Sequence, residues 1–216
     1  MDEKPKYWPH IGVTALTALL VCEIFTNILF PIYYPGYNWK TQSISYLGQD
    51  KSPILQWVKI WSISFSVGYT IFAFAFYYTF KNKGWLIGLA SLLLIIYGLG
   101  EGIGSGFFPV STTETTATTN AFLHNFFGGL ADISLFTFPV ILLKTFPFSG
   151  HKNLWTWTLV TYCLSLLFCS FFLIAKYQGI QSGFLLYKGL WQRMFVLCFY
   201  LYFFQVGRLM ITRINS

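Results

Sequence analysis

The chain has 216 residues, of which 55% are hydrophobic, 21% aromatic and only 10% charged. A soluble domain carries charge on about a quarter of its residues, so this composition excludes an ordinary water-soluble fold and leaves lipid as the solvent for much of the surface. The formal net charge is +7, but the basic residues fall singly or in pairs at the ends of apolar runs, with no basic face or block. That placement suits membrane topology and argues against nucleic acid as a partner.

In chain order, a polar N-terminus of ten residues leads into an apolar run over 11–33. The run is longer than a signal-peptide core, contains Glu23 and Asn27 and lacks an Ala-x-Ala cleavage site, so it is expected to be a retained helix. Five more runs follow, at 54–80, 85–108, 121–143, 154–175 and 186–211. Each is long enough to cross about 30 Å of hydrocarbon at 1.5 Å per residue. The expectation is an all-α polytopic membrane protein, a bundle of six transmembrane helices, with residues 1–216 forming a single membrane domain without an internal repeat. Trp and Tyr gather at the run ends (Tyr33, Tyr34, Trp57, Trp85, Trp155 and Trp191 among them), as expected at headgroup level. The four cysteines, Cys22, Cys163, Cys169 and Cys198, lie inside apolar runs without CxxC or Cys/His spacing, which suits packing between helices.

Six crossings put Lys4, Lys6, Lys81, Lys83, Lys144, Lys152, Arg208 and Arg213 on one side. Lys40, Lys51, Lys176 and Lys188 fall on the other, with Lys59 and Arg193 inside helix starts. The basic excess places both termini in the cytoplasm of a cell (inner) membrane protein and the three longer connections outside.

Glu23, Lys59, Glu101, Asp132 and Arg193 each lie well inside an apolar run, and His124 lies a few residues in. One charge at the centre of a lipid-facing helix costs about 2.5–3.5 kcal/mol, so these groups are expected to face one another or water. Counted from the outer run ends, Glu23, Lys59, Glu101, His124 and Arg193 share a depth of roughly 5–15 Å, and Asp132 lies one or two turns deeper than His124 on a neighbouring face. The reading is a polar cavity opening outward. The alternative is separate structural pairs, Glu23 with Lys59 and Glu101 with Arg193. Three carboxylates against two cations leave a negative charge, which implies a protonated carboxyl, a bound cation or a cationic headgroup. Around Glu101, Gly98, Gly100, Gly102, Gly104 and Gly106 alternate. They predict close helix approach on two faces or, alternatively, a local unwinding beside Glu101.

The segments Ser43-Ile44-Ser45-Tyr46-Leu47-Gly48 after the first run, Phe107-Phe108-Pro109 ending the third, His124, and Gly189-Leu190-Trp191-Gln192-Arg193 opening the sixth occur together in this order. They resemble the "domain of unknown function 998" integral-membrane family of bacteria and archaea over nearly the whole chain. The resemblance implies a six-helix bundle with Ser45, Pro109, His124 and Arg193 as characteristic positions, and implies no activity.

Three function classes remain open. One is a membrane subunit, or a protein binding a lipid headgroup or small ligand, with Glu23, Lys59, Asp132, Gln192 and Arg193 as ligand-binding positions and membrane lipids as partners. Another is a hydrolase or transferase on a lipid-like substrate, with Ser45 as nucleophile, His124 as base and Glu101 or Asp132 orienting it. The structural alternatives are a helix cap for Ser45 and a packing role for His124. The third is a proton or cation path through Glu23, Glu101 and Asp132. No cofactor and no metal is expected: of the three histidines, His10 and His151 belong to the surface opposite His124, which rules out a three-His zinc site. A Glu23/Glu101/His124 metal site is the remaining metal arrangement. The topology predicts that a fluorescent protein fused at the C-terminus fluoresces, while alkaline phosphatase fused there stays inactive.

Overall fold

The computed structural model describes residues 7–109, 119–177 and 183–212. Lys4, Lys6, Arg213 and the Ser/Thr-rich stretch around Glu114 lie outside them. The chain is all-helical: α1 (Tyr7–Ile32), α2 (Leu55–Phe80), α3 (Trp85–Tyr97), which continues as a π-wound segment over Gly98–Ser105, α4 (Thr119–Thr145), α5 (Lys152–Tyr177) and α6 (Lys188–Thr212). Six helices, the third taken over Trp85–Ser105, are long and apolar enough to cross a membrane. This is a multi-pass membrane protein.

The breaks have local causes. Pro31 lies in the last turn of α1, where its ring no longer supports continued winding, and Gly36 turns the chain at φ +80°. Gly84, at φ +108°, reverses direction before α3. α1 packs on α2 and α6, α2 on α3, α3 with its π-wound extension on α4, and α5 along α6. α4 and α5 touch only sparsely.

The centre is aromatic. Tyr69 and Tyr97 meet edge to face with ring centroids 4.8 Å apart. Phe138 bridges Phe76 at 5.6 Å and Phe203 at 5.9 Å. Offset and edge contacts of this kind add to simple area burial. The outside is apolar too, with Phe25, Ile28, Ile71, Leu159, Leu167 and Phe204 exposed where lipid tails would lie. Many hydroxyls within the spans donate to their own helices, as Thr79 does to Ala75 O at 2.7 Å and Thr158 to Leu154 O at 2.6 Å.

Of the two alternatives for the alternating glycines, the structure has close helix approach on two faces. Gly98, Gly102 and Gly106 face α2, and Gly100 and Gly104 face α4. A methyl group on Gly98 would meet Tyr69 Cβ at 2.5 Å, and one on Gly104 would meet Phe127 Cβ at 2.6 Å. The helix does not break here; it widens to π geometry, with Ser66 as its clip. The Ser66 hydroxyl donates to Gly98 O at 2.7 Å and accepts from Ile103 N–H at 3.1 Å, which are the two ends of one i→i+5 pair.

A methyl at Gly102 would run into the Ser66 side chain and lie 2.6 Å from Ser62 O, a backbone atom that cannot move aside. Gly102→Ala is therefore expected to cost about 1–3 kcal/mol. Gly129, whose added methyl would meet nothing within 4 Å, is expected to gain about 0.5–1 kcal/mol as Ala. Thermal unfolding of the purified variants checks the contrast.

Candidate ligand cavity

The C-terminal ends of α1 and α5, the N-terminal ends of α2, α4 and α6, and the π-wound segment meet at one end of the bundle. A cavity of about 800 Å³ lies among them, within the range of small-molecule sites. Glu23, Ser45, Glu101, His124, Asp132 and Gln192 line it, together with Lys176, which sequence reasoning missed. Away from these groups the wall turns apolar along α4 and α5, with Ile133, Phe136, Val140, Leu166 and Leu173. The sparse α4–α5 contact makes this stretch a slot between two helices.

Lys59 and Arg193 are not in the cavity wall. The pairs Glu23–Lys59 and Glu101–Arg193 do not form. Lys59 Nζ sits 5.9 Å from the Phe107 ring centroid. Arg193 donates to Trp39 O at 2.9 Å, Gly189 O at 3.1 Å and the Tyr37 hydroxyl at 2.9 Å. Glu23 is held by neutral donors, Trp61 Nε1 at 2.8 Å and Asn27 Nδ2 at 3.3 Å, while Tyr200 approaches without reaching hydrogen-bond geometry.

The start of α6 is a dock for the 33–54 connection. Gly189 lies so close to the Trp39 and Gln42 carbonyls that no side chain fits. Leu190 N–H donates to Lys40 O at 3.0 Å, and Ile44 N–H donates to Gln192 Oε1 at 2.6 Å. Burial pushes the Tyr37 phenol above its ordinary value despite the Arg193 charge, so it keeps its proton and shares it between Gln42 O (3.2 Å) and Ser43 O (3.0 Å). Docked in this way, the short Ile44–Gly48 helical turn carries Ser45 into the cavity wall, with its hydroxyl 3.0 Å from that of Ser43. Gln192 thus serves the loop backbone as well as lining the cavity.

His124 is oriented by backbone. Its Nδ1 lies 2.9 Å from Ser105 O and 3.1 Å from Phe108 O. Both are acceptors only, so Nδ1 carries the hydrogen, and in the neutral form of the ring Nε2 is the acceptor nitrogen. The orienting partner is therefore a pair of carbonyls, and neither Glu101 nor Asp132 hydrogen-bonds the ring. Those two carboxylates have no hydrogen-bond donor or ion-pair partner among the described residues. Glu101 keeps exposed surface about one turn inside the end of its span, which fits a group bordering the cavity. The two act on each other electrostatically, and the cation that acts on both is Lys176, which donates to Asn125 Oδ1 at 3.2 Å. Among the described residues no three His, Cys, Asp or Glu side chains are grouped to hold a metal ion.

With the geometry described, comparison with known proteins adds one finding. The family described as "Protein of unknown function (DUF998)" matches residues 15–209. The chain belongs to this family. Neither the curated proteins nor the solved structures contain a match. The four positions that the resemblance singled out fall at the same end of the bundle in this DUF998 chain. Ser45 and His124 line the cavity, Pro109 follows the Phe108 carbonyl that holds His124, and Arg193 holds the loop that bears Ser45.

A lysine at position 193 cannot reproduce a planar fork spread over three oxygens. Arg193→Lys and Gly189→Ala are both expected to loosen the 33–54 connection, seen as faster proteolysis within it, and Arg193→Gln to cost about 2 kcal/mol of stability. Lys59→Gln should leave both measures unchanged.

Proposed function

We propose that this DUF998 protein binds a membrane amphiphile. Its cationic headgroup sits at Glu101 and Asp132, and its apolar tail lies in the slot between α4 and α5. The observation that carries this reading is the continuity of a polar end and an apolar slot within one cavity of about 800 Å³. Glu101 and Asp132 have no bonded cation among the described residues, and a cationic headgroup placed between them would supply one. A tail between two sparsely touching helices gives an entry route from the bilayer without exposing the headgroup end to hydrocarbon. The basic excess at the opposite end of the bundle supports a cell-membrane orientation with the cavity beneath the outer headgroups and both termini cytoplasmic.

A second reading, acid–base chemistry on the bound lipid, is favoured by the His124 tautomer. With Nδ1–H held by two carbonyls, Nε2 is free to accept a proton from a hydroxyl or water in the cavity. The Ser45 nucleophile hypothesis then requires its hydroxyl to leave Ser43 for His124.

Native mass spectrometry of the purified protein with hexadecylamine, hexadecanol and hexadecyl sulfate tests the binding reading. The amine is expected to bind tightest, and Glu101→Gln with Asp132→Asn to weaken it about tenfold. Equal binding of the three probes, or an unaffected double variant, overturns it. For the catalytic reading, His124→Ala is expected to lower turnover of a lipid panel by about 10²–10⁴-fold while leaving amine affinity nearly constant. Unchanged turnover of a lipid that the wild type converts removes it.

A further inference from the structure

At the far end of the bundle, away from the cavity above, a second concavity of about 620 Å³ is ringed by positive charge. Lys83 reaches it from the turn after α2, Lys152 from the first residue of α5, and Arg208 from the last turns of α6. His151 completes the ring, and no Asp or Glu lines it. Phe80, Phe146, Leu154 and Leu209 form an apolar floor. None of the three cations has an ion-pair partner among the described residues.

We infer that this pocket is a binding site for a phosphate-bearing anion at the membrane surface.

Four features support the assignment. Three cations from three separate elements, held around one open volume, repel one another, and a bound anion turns that repulsion into attraction. The first residues of α5, Lys152 to Leu154, border the same space, so unpaired first-turn N–H groups add donors there. His151 packs edge-on against Phe146 at 5.2 Å, and burial together with the Lys83 charge holds its imidazole below the usual value. It is therefore a neutral hydrogen-bonding group near pH 7 and makes the ring polar without adding a fourth repelling charge. The clustering also exceeds the general basic bias of this end. Lys81 stacks over Tyr78 with Nζ 5.5 Å from the ring centroid, and Lys144 lines a different, mostly apolar pocket.

The recognising chemistry is a phosphate oxyanion, supplied by an anionic phospholipid headgroup or by a small soluble phosphate ester. Basic pockets between helix ends at a membrane surface suit the former, and the apolar floor adds contact for a glycerol backbone. The site needs neither the Glu101 cavity nor any ligand there.

Purified full-length protein is titrated with dihexanoyl phosphatidylglycerol, dihexanoyl phosphatidylcholine and glycerol 3-phosphate, with binding read by native mass spectrometry and by the rise in unfolding temperature. Phosphatidylglycerol is expected to bind in preference to phosphatidylcholine. Lys152→Gln and Arg208→Gln are each expected to weaken it about fivefold. Lys81→Gln and Lys144→Gln, equal charge changes at the same end, should have little effect. Glycerol 3-phosphate binding as tightly as phosphatidylglycerol, with the same variant pattern, supports the phosphate site and assigns it to a soluble ester. Equal binding of the two phospholipids, or equal losses in all four variants, overturns the inference, because either result reduces the pocket to general surface potential. Folding is monitored independently by the cooperativity of the unfolding transition, so a misfolded variant is replaced by Lys83→Gln.

Discussion

The Ser66 hydroxyl set between Gly98 O and Ile103 N–H is the contact on which the geometry of the cavity depends. In hydrocarbon an unpartnered backbone group costs several kcal/mol, so the change from α to π winding has to keep its N–H and carbonyl groups bonded, and a further partner from a neighbouring helix helps to hold it. Ser66 satisfies both ends of one pair from the neighbouring helix. The wider winding that results keeps Gly98 and Gly102 against α2 and Gly100 and Gly104 against α4. It leaves Glu101, in the middle of the same segment, at the cavity wall. Side chains larger than hydrogen on either glycine face would push the neighbouring helix away.

Hydrogen bonds to backbone and to neutral side chains hold these groups in place of the ion pairs that the alternative reading offered. Glu23 is held by an indole and an amide, His124 by two carbonyls, and the loop that carries Ser45 by Arg193, Gln192 and the close approach allowed at Gly189. Because Arg193 and Lys59 are engaged elsewhere, the carboxylates of Glu101 and Asp132 stand without a bonded cation among the described residues. Arg193 and Lys59 are directed to backbone carbonyls, a phenol and a ring, and Lys176 is the cation left in the cavity wall. The opposite end of the bundle has the reverse character, with Lys83, Lys152 and Arg208 around one pocket and no acid in its wall. The molecule is thus polarised along its axis, acidic inside one end and basic at the surface of the other.

Much of this was legible before any coordinates. Run lengths alone placed the six spans, and most helix ends fall within about two residues of the expected ones; the exceptions are the start of α1 and the π-wound end of the third helix. The wide margin between burying and exposing apolar surface fixes such boundaries without reference to neighbours. The depth count also placed Glu23, Glu101 and His124 at one level, with Asp132 one or two turns deeper, and all four border the same space. Lys176 was overlooked because it lies at a helix end, where a lysine is ordinarily an interfacial anchor, and only the packing of α5 turns it toward Asn125 and the cavity.

Sequence by itself determined the solvent, the number of crossings and the end of the bundle where ionisable groups collect, because each follows from composition or spacing along one chain, and its motifs carried the resemblance to the family. Tertiary structure decided which of those groups meet. Direction around a helix axis changes by 100° per residue, so a π-wound stretch or a docked loop redirects side chains that equal depth alone cannot separate. That is why Arg193 and Lys59, correct in depth, turn away from the site, while Glu101 and Asp132 turn into it.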